Sequence, residues 1–217
     1  VYMGDGNDRV LVNYDEDGLQ TYANGIGAEL SLHGQNGGDV YDIGLAGFGS
    51  STINAFDQSG SDGGVDVLNV FGTDRDDFFL LRANNDPSVM IGVVAALEVD
   101  EDLRPVDEGA IERINYDGDI NGGLRIYGRE GDDTFVLDDN LAPTVIFGDL
   151  GYDTFQIGQV YKSPRDETNP YNGLDPIDYF ETTLTTRGYL SNGISHSATM
   201  YGGYGNDNFT VYRNKAE

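Results

Sequence analysis

Apolar and polar residues alternate along this chain with a period of two. In Leu124-Arg125-Ile126-Tyr127 and Thr134-Phe135-Val136-Leu137, apolar, β-branched and aromatic residues fill or alternate over four positions, which predicts short β-strands. No stretch sustains the 3.6-residue period of a helix. Turn signals interrupt too often for one: Asn-Gly stands at 24–25, 36–37, 121–122, 172–173 and 192–193, and Asp-Gly at 17–18, 62–63 and 117–118. The expected fold class is therefore all-β.

One unit recurs: a strand ending in Gly, a Gly/Asp/Asn turn, then a second short strand. The clearest copies are LRIYGREGDDTFVL (124–137), TVIFGDLGYDTFQI (144–157) and TMYGGYGNDNFTVY (199–212). Looser copies lie at 1–12, 30–43 and 67–81, and a weaker one at 60–70. An Asp aligns them, at Asp8, Asp39, Asp66, Asp77, Asp133, Asp153 and Asp207, with steps of 31, 27, 11, 56, 20 and 54 residues. Twenty residues is the natural length of one coil with two strands and two turns. The longer steps read as near multiples with insertions. A single coil cannot bury its own apolar face, so stacked neighbours explain the recurrence. A β-sandwich built from hairpins fits the same spacings. Two segments break the rhythm and read as loop insertions: 84–113, an apolar run followed by a dense acidic stretch, and 158–185, with three of the six Pro. Because the first and last copies match, the 217 residues are expected to be one piece of a longer repetitive protein.

Charge changes what the turns are expected to do. The chain has 28 Asp and 10 Glu against 10 Arg and 2 Lys, a net −26. Asp is a turn former and a ligand for hard cations, whereas a helical acidic face would favour Glu. Like charges at this density oppose compaction unless salt screens them or a divalent cation cancels them. Calcium fits, because carboxylates and backbone carbonyls are its ligands and Gly-rich turns present both. The same charge excludes a nucleic-acid partner bound through phosphates. The absence of Cys excludes disulfide scaffolds, thiolate zinc and thiol catalysis, and two His leave little room for a His-based centre. The longest apolar run, 89–99, is too short for a membrane span. Neither Gly-x-Ser-x-Gly nor His-Glu-x-x-His occurs, and scattered basic residues do not suit an enzyme acting on anionic sugars, so no catalytic residues are expected.

The turns Gly128-Arg-Glu-Gly131-Asp-Asp133-Thr-Phe135, Gly148-Asp-Leu-Gly151-Tyr-Asp153-Thr-Phe155 and Gly202-Gly-Tyr-Gly205-Asn-Asp207-Asn-Phe209 resemble the G-G-x-G-x-D-x-U-x repeat of RTX, or haemolysin-type, calcium-binding proteins. That resemblance implies a right-handed parallel β-roll that folds on binding Ca2+, in a secreted or surface-exposed bacterial protein. It implies that Asp133, Asp153 and Asp207 are carboxylate ligands, that Phe135, Phe155 and Phe209 point inward, and that Gly128, Gly131, Gly148, Gly151, Gly202 and Gly205 offer carbonyls and a tight backbone. Asp8, Asp39, Asp66 and Asp77 are candidates at equivalent places. The pattern departs from the family in its dispersed units, in Met3 at a first-Gly position and in Arg75 at a second. The bland alternative is that these Asp cap turns by bonding backbone amides.

The sequence thus predicts a right-handed parallel β-helix or β-roll-like solenoid with loop insertions, about ten coils of ~20 residues. The expected function is a non-enzymatic, calcium-stabilised structural segment of a large extracellular or cell-surface bacterial protein, adhesin-like or surface-layer-like. Adjacent copies of the same protein or a surface glycan are its expected partners. Tyr161, Tyr171, Tyr179 and Phe180 in the Pro-rich loop suggest a glycan- or partner-binding module as one alternative. A non-catalytic RTX-like tail of a secreted enzyme is another.

Overall fold

The computed structural model describes residues 1–22, 26–57, 64–97 and 110–215. Along them the chain forms β1 (Tyr2–Asp5), β2 (Arg9–Val12), β3 (Glu29–Asn36), β4 (Val40–Gly44), β5 (Ser51–Phe56), β6 (Val67–Phe71), β7 (Phe78–Asn84), β8 (Ile91–Leu97) and β9 (Ile111–Asp117). It continues with β10 (Gly123–Glu130), β11 (Thr134–Leu137), β12 (Thr144–Leu150), β13 (Thr154–Ile157), β14 (Val160–Tyr161), β15 (Thr182–Thr185), β16 (Gly188–Ser191), β17 (Ala198–Tyr201) and β18 (Asn208–Val211). One short 3-10 turn covers Pro176–Asp178.

The expected right-handed parallel solenoid is not what forms. The strands make three sheets, and their pairing is mixed. The largest runs β1-β3-β5-β9-β8-β7-β11-β13-β18, the second β17-β12-β10-β6-β4-β2, and the third β14-β16-β15. The six-stranded sheet is parallel throughout. In the nine-stranded sheet β8 runs antiparallel to both β7 and β9, and the third sheet is wholly antiparallel. The reversal after β7 has a local cause. Asp86 accepts hydrogen bonds from the Ser88 amide (2.8 Å) and hydroxyl (2.6 Å), its carbonyl accepts from Val89 and Met90, and Met90 takes a left-handed φ of 48°. This tight turn sends Ile91–Leu97 straight back beside β7. In the expected first insertion, Asn84 ends β7 and residues 85–97 form the turn and the return strand, while its acidic part at 98–109 lies outside the described residues. The all-β class itself holds.

The two large sheets enclose one apolar core. Leu32, Ile53, Phe79, Leu81, Ile114, Phe135 and Phe155 face it from the larger sheet, and Ile43, Leu68, Val70, Leu124, Ile126 and Ile146 from the smaller, all buried. Parallel in-register pairing stacks like on like. Phe79, Phe135, Phe155 and Phe209 are register partners, and their rings stack at 5.0, 5.0 and 4.5 Å. Phe209, expected to point inward like the others, is 50% exposed because β18 is the edge strand of its sheet. A second row, Phe71, Tyr127, Phe147 and Tyr201, stacks on the outer face of the smaller sheet. Among the described residues no helix is long and apolar enough to cross a membrane.

Candidate metal centre

The Asp-bearing turns connect the two large sheets, and the structure divides them into two series. Asp8, Asp39 and Asp66 lead from the nine-stranded sheet into β2, β4 and β6. Asp77, Asp133, Asp153 and Asp207 lead from the six-stranded sheet into β7, β11, β13 and β18. A single line of seven in the sequence is thus two ladders on different corners. The long steps are not multiples of a coil either. Asp77 and Asp133, 56 residues apart, are nearest neighbours, because the hairpin strands β8 and β9 absorb the intervening chain.

Each ladder is built by one repeated bond. The Asp8 amide donates to Asp39 Oδ1 (2.8 Å), the Asp39 amide to Asp66 Oδ1 (2.8 Å), and the Asp66 amide to Asn121 Oδ1 (3.1 Å). In the second ladder the Asp77 amide donates to Asp133 Oδ1 (2.9 Å), Asp133 to Asp153 (3.0 Å) and Asp153 to Asp207 (3.1 Å). The carboxylates therefore cap amides of the neighbouring unit rather than of their own turn. Asp77 also closes its own turn, accepting from the Thr73 amide at 2.6 Å. Asn121 stands in the first ladder where the pattern would place an Asp. Its Nδ2 donates to the Gly64 carbonyl at 3.0 Å, and only its Asn-Gly neighbourhood marked it in the sequence.

The other carboxylate oxygen explains the glycines. A β-carbon at Gly128 would collide with Asp133 Oδ2 and come within 2.9 Å of the Gly148 carbonyl; at Gly148 it would collide with Asp153 Oδ2 and meet the Gly202 carbonyl at 2.6 Å. Gly202 relates to Asp207 in the same way. The second glycines of the motif, Gly131, Gly151 and Gly205, have φ of 115°, 148° and 136° and pack backbone on backbone, with a β-carbon at Gly151 overlapping the Gly131 carbonyl. Between the two glycines the chain is left-handed even without glycine, at Arg129 (φ 84°) and Asp149 (φ 70°), and likewise at Gln35 (φ 76°). So at Gly128 and Gly148 the Asp Oδ2 and the next unit's glycine carbonyl face the same glycine Cα.

These carboxylates are costly. Asp39, Asp66, Asp133 and Asp153 are completely buried, and Oδ2 of Asp8, Asp39, Asp133 and Asp153 has no hydrogen-bond partner. Burial pushes Asp133 up to about 8, helped by the charges of Asp77 and Asp153 and opposed by the Asp77 amide. Burial likewise raises Asp77 to about 6, against the pull of the Thr73 amide and hydroxyl, and raises Asp153. Asp8 and Asp207, at the ends of their ladders, are half-buried.

The first corner adds a residue that the repeat does not contain. Asp57 follows β5, is completely buried, and offers a carboxylate oxygen that lies with those of Asp39 and Asp66 within 4.8 Å of one another. Among the described residues no other three acids come so close. Asp57 missed notice because it ends a strand with no Gly-rich turn beside it; the signal was only Ala55-Phe56-Asp57, an apolar strand closing on an acid.

The Pro-rich segment is anchored at the C-terminal ends of β7 and β11, away from the second corner, whose Asp77 and Asp133 precede these strands. Phe180 is buried under the Arg82 guanidinium at 5.2 Å, and Tyr161 donates its hydroxyl to Asp138 at 2.6 Å. Tyr171 is exposed. A cleft of about 480 Å³ opens between this segment and the β7–β8 turn, lined by Asn84, Asn85, Asp86, Asp166, Tyr179 and Phe180 among others. Comparison with protein-family models, curated proteins and solved structures finds no match to this chain.

Proposed function

We propose that the chain is a calcium-stabilised structural module of an extracellular or cell-surface bacterial protein, and not an enzyme. The observation that carries this reading is the pair of buried Asp ladders. Oδ2 of Asp8 and Asp39 in the first ladder, and of Asp133 and Asp153 in the second, has no hydrogen-bond partner, in a chain of net charge −26. Such a stack needs protons or cations. At neutral pH in a calcium-rich medium, a hard divalent ion suits carboxylate and carbonyl oxygens. The three RTX-like turns support the same ion and the same setting. The mechanism is linkage: calcium binds the folded turns and not the unfolded chain, so each site adds ~1.4 kcal/mol per tenfold excess over Kd. Calorimetric titration of metal-stripped protein with calcium tests it. Several bound ions with an accompanying gain of β-sheet circular dichroism are expected, and no heat with no spectral change would sink it.

A second reading, recognition of a glycan or a neighbouring copy, has its own observation. The cleft beside the Pro-rich segment combines amide and carboxylate side chains with the Tyr179 ring, the mixture that hydrogen-bonds and stacks on sugars. Glycan-array binding that survives Tyr179→Ala and Asn85→Ala together would remove it.

A further inference from the structure

We propose that Asp39, Asp57 and Asp66, with the Tyr41 hydroxyl, form one discrete buried calcium site, distinct from the carboxylates of the second ladder. This rests on the calcium reading above and narrows it to a place.

Three lines of geometry converge. Oxygens on opposite sides of a calcium ion at 2.3–2.6 Å are about 4.6–5.2 Å apart, and the three carboxylates present oxygens within 4.8 Å of one another. Asp39 is completely buried, and while its Oδ1 accepts the Asp8 amide, its Oδ2 has no hydrogen-bond partner. That oxygen is aimed into the cluster, because a β-carbon on Gly34 would collide at once with Asp39 Oδ2, Asp57 Oδ1 and the Tyr41 hydroxyl oxygen. Three oxygens from three residues therefore meet beside one glycine that leaves the space open.

Tyr41 completes the argument. It is completely buried, and its hydroxyl lies 3.5 Å from Asp57 Oδ1. The hydroxyl is a further oxygen facing the same space beside Gly34. Three carboxylates against one divalent ion leave a single negative charge, where the apo cluster crowds three into the core. The ladder position at Asp133 lacks this arrangement: no third acid comes as close there among the described residues. Burial on this scale also means that the ion enters as the corner folds, coupling binding to folding.

The test uses the full chain, stripped with EDTA and titrated with terbium and then calcium. Terbium occupies calcium sites and luminesces when a tyrosine beside it is excited. Wild type is expected to give tyrosine-sensitised emission that calcium reverses. Tyr41→Phe keeps all three carboxylates and is expected to lose most of that emission and, with one oxygen ligand gone, to bind calcium more weakly. Asp57→Asn, which touches no ladder bond, is expected to weaken calcium at one site by roughly tenfold or more and to lower the stoichiometry by one. If wild type binds calcium but neither variant changes emission, affinity or stoichiometry, this site is wrong and the broader reading stands. If wild type binds no calcium, both fail. Should Asp57→Asn not fold, Tyr41→Phe decides alone: undiminished emission overturns the proposal.

Discussion

Asp133→Asn separates the two jobs of a ladder carboxylate. The amide keeps Oδ1 to accept the Asp77 amide, now 2.9 Å away, but removes the buried charge. Asn121 shows that the fold tolerates the swap, since its Oδ1 holds the Asp66 amide and its Nδ2 finds a glycine carbonyl. The size of the effect follows from the carboxyl's preference for its proton. Asp133 is raised from 3.8 to about 8, so at pH 7 the metal-free fold must hold a proton that the unfolded chain has released. Each pH unit between 3.8 and 7 is worth about 1.36 kcal/mol, which sets an upper bound of about 4 kcal/mol. Local relaxation reduces this, and a gain of about 1–3 kcal/mol is expected for metal-free Asp133→Asn at pH 7. Urea unfolding in EDTA reads it as a higher midpoint at unchanged slope. Saturating calcium should shrink or reverse the advantage, because the variant offers one charge fewer to the ion. A metal-free variant less stable than wild type would refute the claim that these carboxylates are buried at a cost which a cation relieves.

Other expectations test separate parts of the account. Gly148→Ala drives a methyl into Asp153 Oδ2 and within 2.6 Å of the Gly202 carbonyl, and should cost about 2–3 kcal/mol by chemical denaturation; a loss under half a kcal/mol would contradict the packing. Asp149→Gly relieves a left-handed backbone at φ 70° and should stabilise by about 1 kcal/mol, read as a rise in the thermal midpoint. Asp133 and Asp77 keep their protons to about 8 and about 6 in the fold against 3.8 unfolded. Metal-free stability should therefore be fullest below about pH 4 and fall as pH rises towards 8, the slope flattening in calcium; stability rising over that window would be the wrong sign.

Much of this was legible in the chain, and the gaps have physical causes. The strands around Leu124–Tyr127 and Thr134–Leu137 follow from period two, and the Gly-x-x-Gly-x-Asp spacing does mark the turns where carboxylates stack. Direction was not legible. A half-buried apolar strand such as Ile91–Leu97 reads alike whether it runs up or down, and the choice rests on the Asp86–Met90 turn, whose hydrogen bonds the pattern does not announce. Partner order was hidden too. Asp133 lies between Asp77 and Asp153 although it is 56 residues from one and 20 from the other, because pairing register and not chain distance selects neighbours. The motif pointed to the Asp; their bonds to the next unit's amide, and the role of the first glycine in housing Oδ2, appear only once units are stacked. Asp57 belongs to no repeat, so only the fold brings it beside Asp39.

The most direct test of the central claim is thermal unfolding of the full chain in excess EDTA and then in millimolar calcium. The account predicts a clearly higher midpoint in calcium, growing with its concentration as linkage requires. An unchanged midpoint, with no calcium bound by calorimetry, would contradict it.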